Sequence, residues 1–479
     1  MSYGGYLYLD LNYVPKESDF LVLAWVKGDA PLEVLAEGLA AESSVGTWTK
    51  ISTMSENIFR DYRARVYHLV HVKNNSGFVY LAYPYEHFDS KNLLQFLASV
   101  LGNVYGLKEI EELMILDIKF PKRFQNMFPG PKYGLDGIRK YIGTTKTRRP
   151  HVGTIVKPKV GLSPEEWSDV AYKCYVNGMD FVKDDENLVD QDFCRWRDRF
   201  DLVFDKMSKA ENKTGERKLY ASNITDQDIH RMYERIDYIA ERGGKCVMLD
   251  VFMLGFALTY ELVKYAHKKR LIVHAHRAGY AAMHRGVYGY DFKILLKIYR
   301  MLGVDQLHIG TGVGKMEGSS KYISYLHELA VNRKVRKIPY LGCLDFKYSP
   351  HIKPVMPVAS GGLDAGKGDA LSVIHGKDFV FQGGGGVHGH PLGVEGGAKS
   401  FRQAADAIAK CIALPKYAKK HKELKIALDY FGYVDPKIIK EEIKMMDNSE
   451  ALLNNLVYRY GIEILRHLRD EGARIPRPS

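Results

Sequence analysis

The 479 residues, 46% hydrophobic and 26% charged, are enough for one large domain beside a smaller one, each with its own core. No window approaches the ~18 uninterrupted apolar residues of a membrane helix, and the opening run lacks the basic-then-apolar pattern of a secretory signal, so a cytoplasmic protein with no membrane partner is expected. The formal charge of +12 raises nucleic acid, but the basic residues are mixed with acids and the densest run, 416–425, reads as one solvated helix; a small phosphorylated anion suits such a field better.

Residues 1–130 read as a small α+β domain, with strand-like stretches at 6–13, 20–26, 63–72 and 77–83 and helical ones at 31–41 and 93–101. A turn-rich, basic connector spans 131–150. From 151 to 431 one unit repeats: a short apolar strand, a polar or Gly-rich loop, then an amphipathic helix. Strands are expected at 151–157, 180–183, 219–224, 246–252, 271–276, 306–310, 355–360 and 378–382. Helices are expected at 164–177, 196–211, 226–242, 258–268, 292–302, 320–331, 365–375 and 398–413. This succession predicts an α/β fold whose parallel strands close into a (β/α)8 TIM barrel rather than an open sheet. Residues 432–479 read as a helical tail, with apolar residues at helical spacing over 449–469. Cys174, Cys194, Cys246, Cys343 and Cys411 are scattered and never form a CxxC pair, which argues against a disulfide framework or a thiolate zinc site.

In such barrels the C-terminal strand ends carry the chemistry. Here they read KPK, KDDE, SN, LD, HAHR, HIGTGVGK, SGG and GGGG, so charge, histidine and glycine fall at nearly every end. In KDDE, Lys183 and Asp185 share a strand face and Glu186 can swing in beyond it. Two carboxylates suit a hard divalent ion. A lysine ammonium is no ligand, whereas a lysine that has added CO₂ is a carbamate with a third anionic oxygen. Alone, KDDE could also be a solvated acidic turn, the less favoured reading at the end of a barrel strand. Lys157 and Lys159 are two apart and share a face, and an inward lysine in a dry site suits proton transfer; a basic strand end facing water is the plain alternative. His274 and His276 share a face of the fifth strand, either as a metal pair or as two interior histidines, with Arg277 as a phosphate fork and His308 as a further donor.

The run from Gly310 to Lys315 is not a nucleotide P-loop, because its spacing is wrong and Met316 stands where Ser or Thr must hold Mg²⁺. It fits a mobile lid that delivers Lys315 over the mouth. Ser360-Gly361-Gly362 and the glycines 383–386 end the last two strands, where backbone N–H groups recurrently bind phosphate.

Together these motifs resemble the ribulose bisphosphate carboxylase large-subunit family throughout the first domain and the barrel. GMDFVKDDEN is similar to its activation motif, which implies Lys183 as the carbamylated residue and Asp185 and Glu186 as Mg²⁺ ligands, with CO₂ as activator. GTIVKPKVGLS supplies the family's two lysines, Lys157 and Lys159; HAHRA supplies His276 and Arg277; GVGKMEG is similar to the lid with Lys315; VASGG and GGGG are similar to the phosphate loops, with Ser360, Gly361, Gly362, Gly384 and Gly385. In the first domain AAESSVGTWT gives Glu42, Thr47 and Trp48, and GNVYG gives Asn103. The family completes each site with these residues from a neighbouring subunit, so the resemblance implies a homodimer with shared sites, ribulose 1,5-bisphosphate, CO₂ and O₂ as reactants, and 3-phosphoglycerate as product. It is similar to the archaeal and form II-like branches, with Ile155 where plant-type enzymes carry threonine, and implies no small subunit. Tyr280 departs from a histidine often found three residues after the arginine. The basic segment 321–353, with Tyr340, Phe346 and Tyr348, and the tail are expected as surfaces where dimers could join.

Three rivals are weighed. A relative that only enolises or isomerises a phosphorylated sugar would lack lid or phosphate residues that are present here. A metal amidohydrolase carries its HxH on the first strand, before the lysine, not on the fifth. A basic scaffold or nucleic-acid binder leaves the strand ends unexplained.

Overall fold

The computed structural model describes residues 7–47, 49–73, 75–337 and 342–447. Trp48, Tyr340 and the expected helix at 449–469 lie outside the described residues.

The first half builds a five-stranded sheet. Its central strand, Phe20–Gly28, is apolar at nearly every position because both faces are covered. Phe20, Val22, Ala24 and Val26 join the core holding Leu35, Leu39 and Phe96 from helices Leu32–Glu42 and Leu93–Leu101, while Leu21, Leu23 and Trp25 face the other way onto Met114 and Leu344. Strands Ser76–Tyr83 and Ile110–Lys119 flank it, and Arg65–Lys73 lies outside the former. Tyr288–Tyr290, from the barrel half, adds in parallel to the edge of Ile110–Lys119. The strand Ile110–Lys119 and the helix Glu56–Tyr62 were not anticipated. Of the expected strand at 6–13, the described residues 7–13 form a single bridge, Leu9 to Val66, and then a turn at 11–12, because Glu37 takes the backbone N–H groups of Tyr8 and Leu9.

Eight parallel strands close the barrel: His151–Ile155, Phe181–Lys183, Leu219–Asn223, Cys246–Asp250, Ile272–His276, Gln306–His308, Met356–Ser360 and Val380–Gly383. Their inward residues are layered. Phe181, Leu219, Ala221, Met248, Val358 and Val380 pack a dry floor on Leu135, Ile138 and Ile142, from a helix, Gly134–Ile142, that plugs the barrel from below. The segment expected as a turn-rich connector therefore carries a structural stopper. Asp305 pins it: one carboxylate oxygen accepts from the N–H groups of Tyr133 and Gly134, both at 2.8 Å, and the other from Val273 at 3.0 Å.

Three further expectations change. The first strand stops at Ile155, so Lys157 and Lys159 sit in the following turn and share no strand face; Lys159 is exposed. The run 416–425 is split between helices Leu414–Ala418 and Lys422–Phe431. Phe346 and Tyr348 are buried rather than displayed, because they cover the cations Lys297 and Arg300 with ring contacts at 4.3 and 3.8 Å; they form no docking surface. Among the described residues no helix is long and apolar enough to cross a membrane, and all five cysteines are free.

Helix Phe292–Leu302 is buried at every position, sandwiched between the barrel and the first domain. Its charges are therefore matched in place: Lys297 Nζ meets Asp117 Oδ1 at 2.5 Å and the Ile118 carbonyl at 2.9 Å, and the other Asp117 oxygen accepts from Leu344 N–H at 2.8 Å. This pair locks the two domains. Lys297→Met leaves Asp117 buried without its cation, so the chain should lose about 3–5 kcal/mol of stability, read as a lowered midpoint in chemical denaturation.

Candidate active site at the barrel mouth

One step above the dry floor, the inward positions turn polar: Lys183, Asn223, Asp250, His276, His308, Ser360 and Gln382. The second strand ends this way because its last residues alternate. Asp184 points outward and is fully buried, held by Arg199 through two 3.1 Å contacts, by the Tyr220 hydroxyl at 2.7 Å and by Asn223 N–H at 2.9 Å. Of the acidic run it is the structural member. Lys183 points inward and is also fully buried, yet among the described residues it pairs with no carboxylate; its amine donates to the Asp184 carbonyl at 2.6 Å. Burial pushes its pKa down against the opposing pull of Glu186, Asp185 and Asp250, which favours the neutral, nucleophilic amine.

Asp185 accepts from Lys157 Nζ at 2.7 Å and from Asn187. Burial alone would raise its carboxyl, but the Lys157 and Asn187 hydrogen bonds outweigh that and hold it down at about 2. Glu186 is a third exposed, with Oε2 at 3.5 Å from His276 Nε2. Asp250 Oδ1 lies 3.2 Å from His276 Nδ1, but that nitrogen accepts from Ala278 N–H, so the carboxylate oxygen is buried with no aligned donor. Among the described residues no three His, Cys, Asp or Glu groups already converge as a metal site. What the mouth does hold is three carboxylates around one uncharged-leaning lysine, an oxygen-rich and electron-rich set with an orphaned oxygen. That set fits a hard divalent cation better than a soft one.

His274 lies below, with Nδ1 at 2.9 Å from the Gln306 side chain and Nε2 at 3.0 Å from His308 Nε2. Burial pushes both rings well below the usual histidine range, so each is neutral with a single N–H. Of the two histidines on the fifth strand, His274 is thus an interior one, with both ring nitrogens already engaged by Gln306 and His308. Ser360 Oγ accepts from Gln382 Nε2 at 3.2 Å, and Gln382 Oε1 is buried without a partner.

Arg277 is buried with no carboxylate in salt-bridge contact among the described residues; its guanidinium rests instead on the rings of Tyr280 at 4.0 Å and Phe292 at 4.3 Å. Unlike buried Arg300, which donates to the carbonyls of Leu329, Asn332, Ile352 and Lys353, Arg277 is left suited to an anionic ligand. The loop carrying Lys315 lies against the seventh strand end. Lys315 N–H donates to the Gly361 carbonyl at 3.3 Å, and glycine is required on both sides of this seam: a Cβ on Gly314 would stand 2.1 Å from the Gly361 oxygen, and one on Gly362 2.9 Å from Lys315 N. Gly384 flanks Lys157, and the space beside Gly385 is open, so backbone there is accessible to a ligand.

Lys157, Lys183, Asp185, Glu186, His276, Arg277, His308, Lys315, Ser360 and the glycine loops thus come together. Glu42, Thr47 and Asn103 do not: they lie in the first domain and, among the described residues, make no hydrogen bond or ion pair to the mouth. Sequence reasoning gave no role to Asn223, Asp250, Gln306 or Gln382. Their signal was the period of two along each strand, which places a polar residue two positions past the last inward apolar one.

A sealed barrel with its titratable groups and glycine loops gathered at the C-terminal mouth defines a TIM-barrel enzyme. Residues 136–431 match the family model for the ribulose bisphosphate carboxylase large chain, catalytic domain, and residues 7–124 the one for its N-terminal domain. The ribulose bisphosphate carboxylase of Methanocaldococcus jannaschii is 42% identical over 429 residues, 88% of this chain and 99% of that protein; that of Archaeoglobus fulgidus is 39% identical over 90% and 98%. A dimeric archaeal Rubisco from Hyperthermus butylicus superposes with a TM-score of 0.83 at 38% identity, covering 89% of this chain and 99% of that one. An octameric enzyme from Pyrococcus horikoshii gives 0.81 at 36%, covering 89% and 96%. The chain belongs to the ribulose bisphosphate carboxylase large-chain family.

Proposed function

We propose that this chain is a ribulose-1,5-bisphosphate carboxylase/oxygenase whose working site is the barrel mouth, activated by CO₂ on Lys183 and by Mg²⁺. The observation that carries the reading is the fully buried Lys183 amine, unpaired by any carboxylate among the described residues yet ringed by Asp185, Glu186 and Asp250. Adding CO₂ turns it into an anion and supplies the third oxygen that Asp185 and Glu186 need to hold the cation. When bound, Mg²⁺ supplies Lewis-acid polarisation of the sugar's ketone and adjacent hydroxyl.

The residues then divide the work. Lys183, as its carbamate, takes the C3 proton to give an enediolate. His276 orients the hydroxyls. CO₂ adds at C2 while Lys315 closes over the new carboxylate. Asp185 would help hold the cation, and Lys157, which rests on Asp185 in the structure, returns the last proton after hydration and cleavage to 3-phosphoglycerate. Arg277, His308 and Ser360 take one phosphate. The glycines at 361, 362, 384 and 385, with Lys159 at the rim, take the other, together with Thr47 and Trp48 of a second subunit. For His308 to donate to phosphate through Nδ1, its Nε2 must accept from His274, which requires the Gln306 amide to donate to His274 in turn. O₂ attacks the same enediolate, so oxygenation accompanies carboxylation. A pure enolase or isomerase is the weaker reading, since Lys315 and both glycine loops are in place. A cytoplasmic, homodimeric enzyme without a small subunit, open to further assembly, completes the proposal.

Lys183→Ala should cut carboxylation by ~10³-fold or more while circular dichroism stays that of the wild type; an active variant, or a wild type indifferent to CO₂ and Mg²⁺ preincubation, would overturn the activation site. Lys315→Ala should lose ~10²–10³-fold of carboxylation yet still exchange the C3 proton with solvent. Equal loss of both would place the lid lysine earlier in the reaction. If sites are shared, mixing Lys183→Ala chains with Asn103→Ala chains should restore about a quarter of wild-type activity, as half the dimers become hybrids with one intact site. No recovery after confirmed subunit exchange would sink the shared-site reading.

A further inference from the structure

We propose that Tyr280 is a positioning residue that couples phosphate binding at Arg277 to closure of the lid carrying Lys315. The proposal rests on the functional reading above, which gives Arg277 a phosphate and Lys315 the closing step. The Arg277 guanidinium stacks on the Tyr280 ring at 4.0 Å, with Phe292 on the other contact at 4.3 Å. The hydroxyl of that same tyrosine donates to Glu317 Oε1 at 2.6 Å. Glu317 stands two residues beyond Lys315 in the lid, and Arg285 Nε holds its second oxygen at 3.0 Å. Tyr280 is buried, and burial pushes its phenol up to about 12, so it stays a donor at neutral pH. The position is also where this sequence departs from the histidine often found in the family, and the phenol puts a donor at the far tip of the ring.

The coupling follows from linkage. The Tyr280–Glu317 bond exists only when the lid lies down, and it fixes the ring that holds Arg277 in place. Phosphate therefore meets a preorganised guanidinium in the closed state and binds it more tightly there. By reciprocity, phosphate on Arg277 favours the closed lid. Gly310, at the root of the lid, is part of the same contact: a Cβ there would lie 3.1 Å from the Arg277 guanidinium.

Tyr280→Phe keeps the ring under Arg277 and removes only the hydroxyl; Glu317→Gln removes the charge from the lid side. Each should lower carboxylation kcat about tenfold, while C3 proton exchange at saturating ribulose bisphosphate changes by no more than about twofold. Ribulose bisphosphate should shield the Lys315–Met316 bond of the wild type from trypsin and lose that shielding in both variants. The double variant should be no worse than either single one, because both break one path. Tyr280→Phe with wild-type carboxylation and full shielding overturns the coupling, as does a double variant whose losses multiply. A wild type that fixes no CO₂ sinks the functional reading and the coupling with it; a wild type that fixes CO₂ beside an unaffected Tyr280→Phe sinks the coupling alone.

Discussion

A closed parallel barrel gives its inward side chains one exit. With no sheet edge and with helix Gly134–Ile142 stopping the floor, a polar group pointing inward must be satisfied by its neighbours or face the C-terminal mouth. The lower layer solves the problem by being apolar. The upper layer does not solve it. Lys183, Asp250, Gln382 and His308 are all crowded into the same ring of positions, and among the described residues Asp250 Oδ1 and Gln382 Oε1 stay unanswered. The position of the site follows from this constraint before any chemistry is considered.

The contrast between saturated and unsaturated ions sorts structure from function. Asp184 with Arg199, Asp180 with Arg149, and Asp117 with Lys297 are buried pairs in which each carboxylate is also met by backbone or hydroxyl donors. Such pairs cost desolvation but are complete, and they hold the second strand, the connector and the domain interface in register. Lys183, Arg277 and Asp250 Oδ1 are as deeply buried and lack that completion. Desolvated groups held open by a rigid scaffold are how a site is preorganised for a ligand of opposite character.

The barrel was legible because eight short apolar runs alternate with amphipathic ones, and seven of the eight strands lie within the expected stretches. The eighth, Val380–Gly383, starts later and runs one residue further. The lysines, acids and histidines of the candidate site stood out in the sequence because they break the apolar pattern at strand ends. What the sequence hid depends on tertiary contact. Lys157 and Lys159 look equivalent two residues apart, but the strand ends before both and only Lys157 turns back to Asp185. Asp184 and Asp185 are adjacent aspartates with opposite fates, decided by whether Arg199 or the mouth lies on their side. Phe346 and Tyr348 sit in a basic stretch that reads as surface, yet cations from a buried helix need their rings. The connector helix offered too few residues for its period to stand out against the turns beside it.

The mouth is also self-consistent in what it lacks. On the Lys183 side there is an excess of carboxylate, which Lys157 answers in part by sitting on Asp185. On the Arg277 side there is an excess of cation, which the faces of Tyr280 and Phe292 answer in part. Under the proposed function both are place-holders, weaker than the charge they would stand in for: a partly exposed ammonium for a divalent ion, two ring quadrupoles for a phosphate. A ligand set that brings a hard cation to one side and phosphoryl oxygens to the other displaces both without leaving a buried charge alone. A sugar bisphosphate loaded with its metal has that polarity, and a neutral sugar, a nucleobase or a peptide does not.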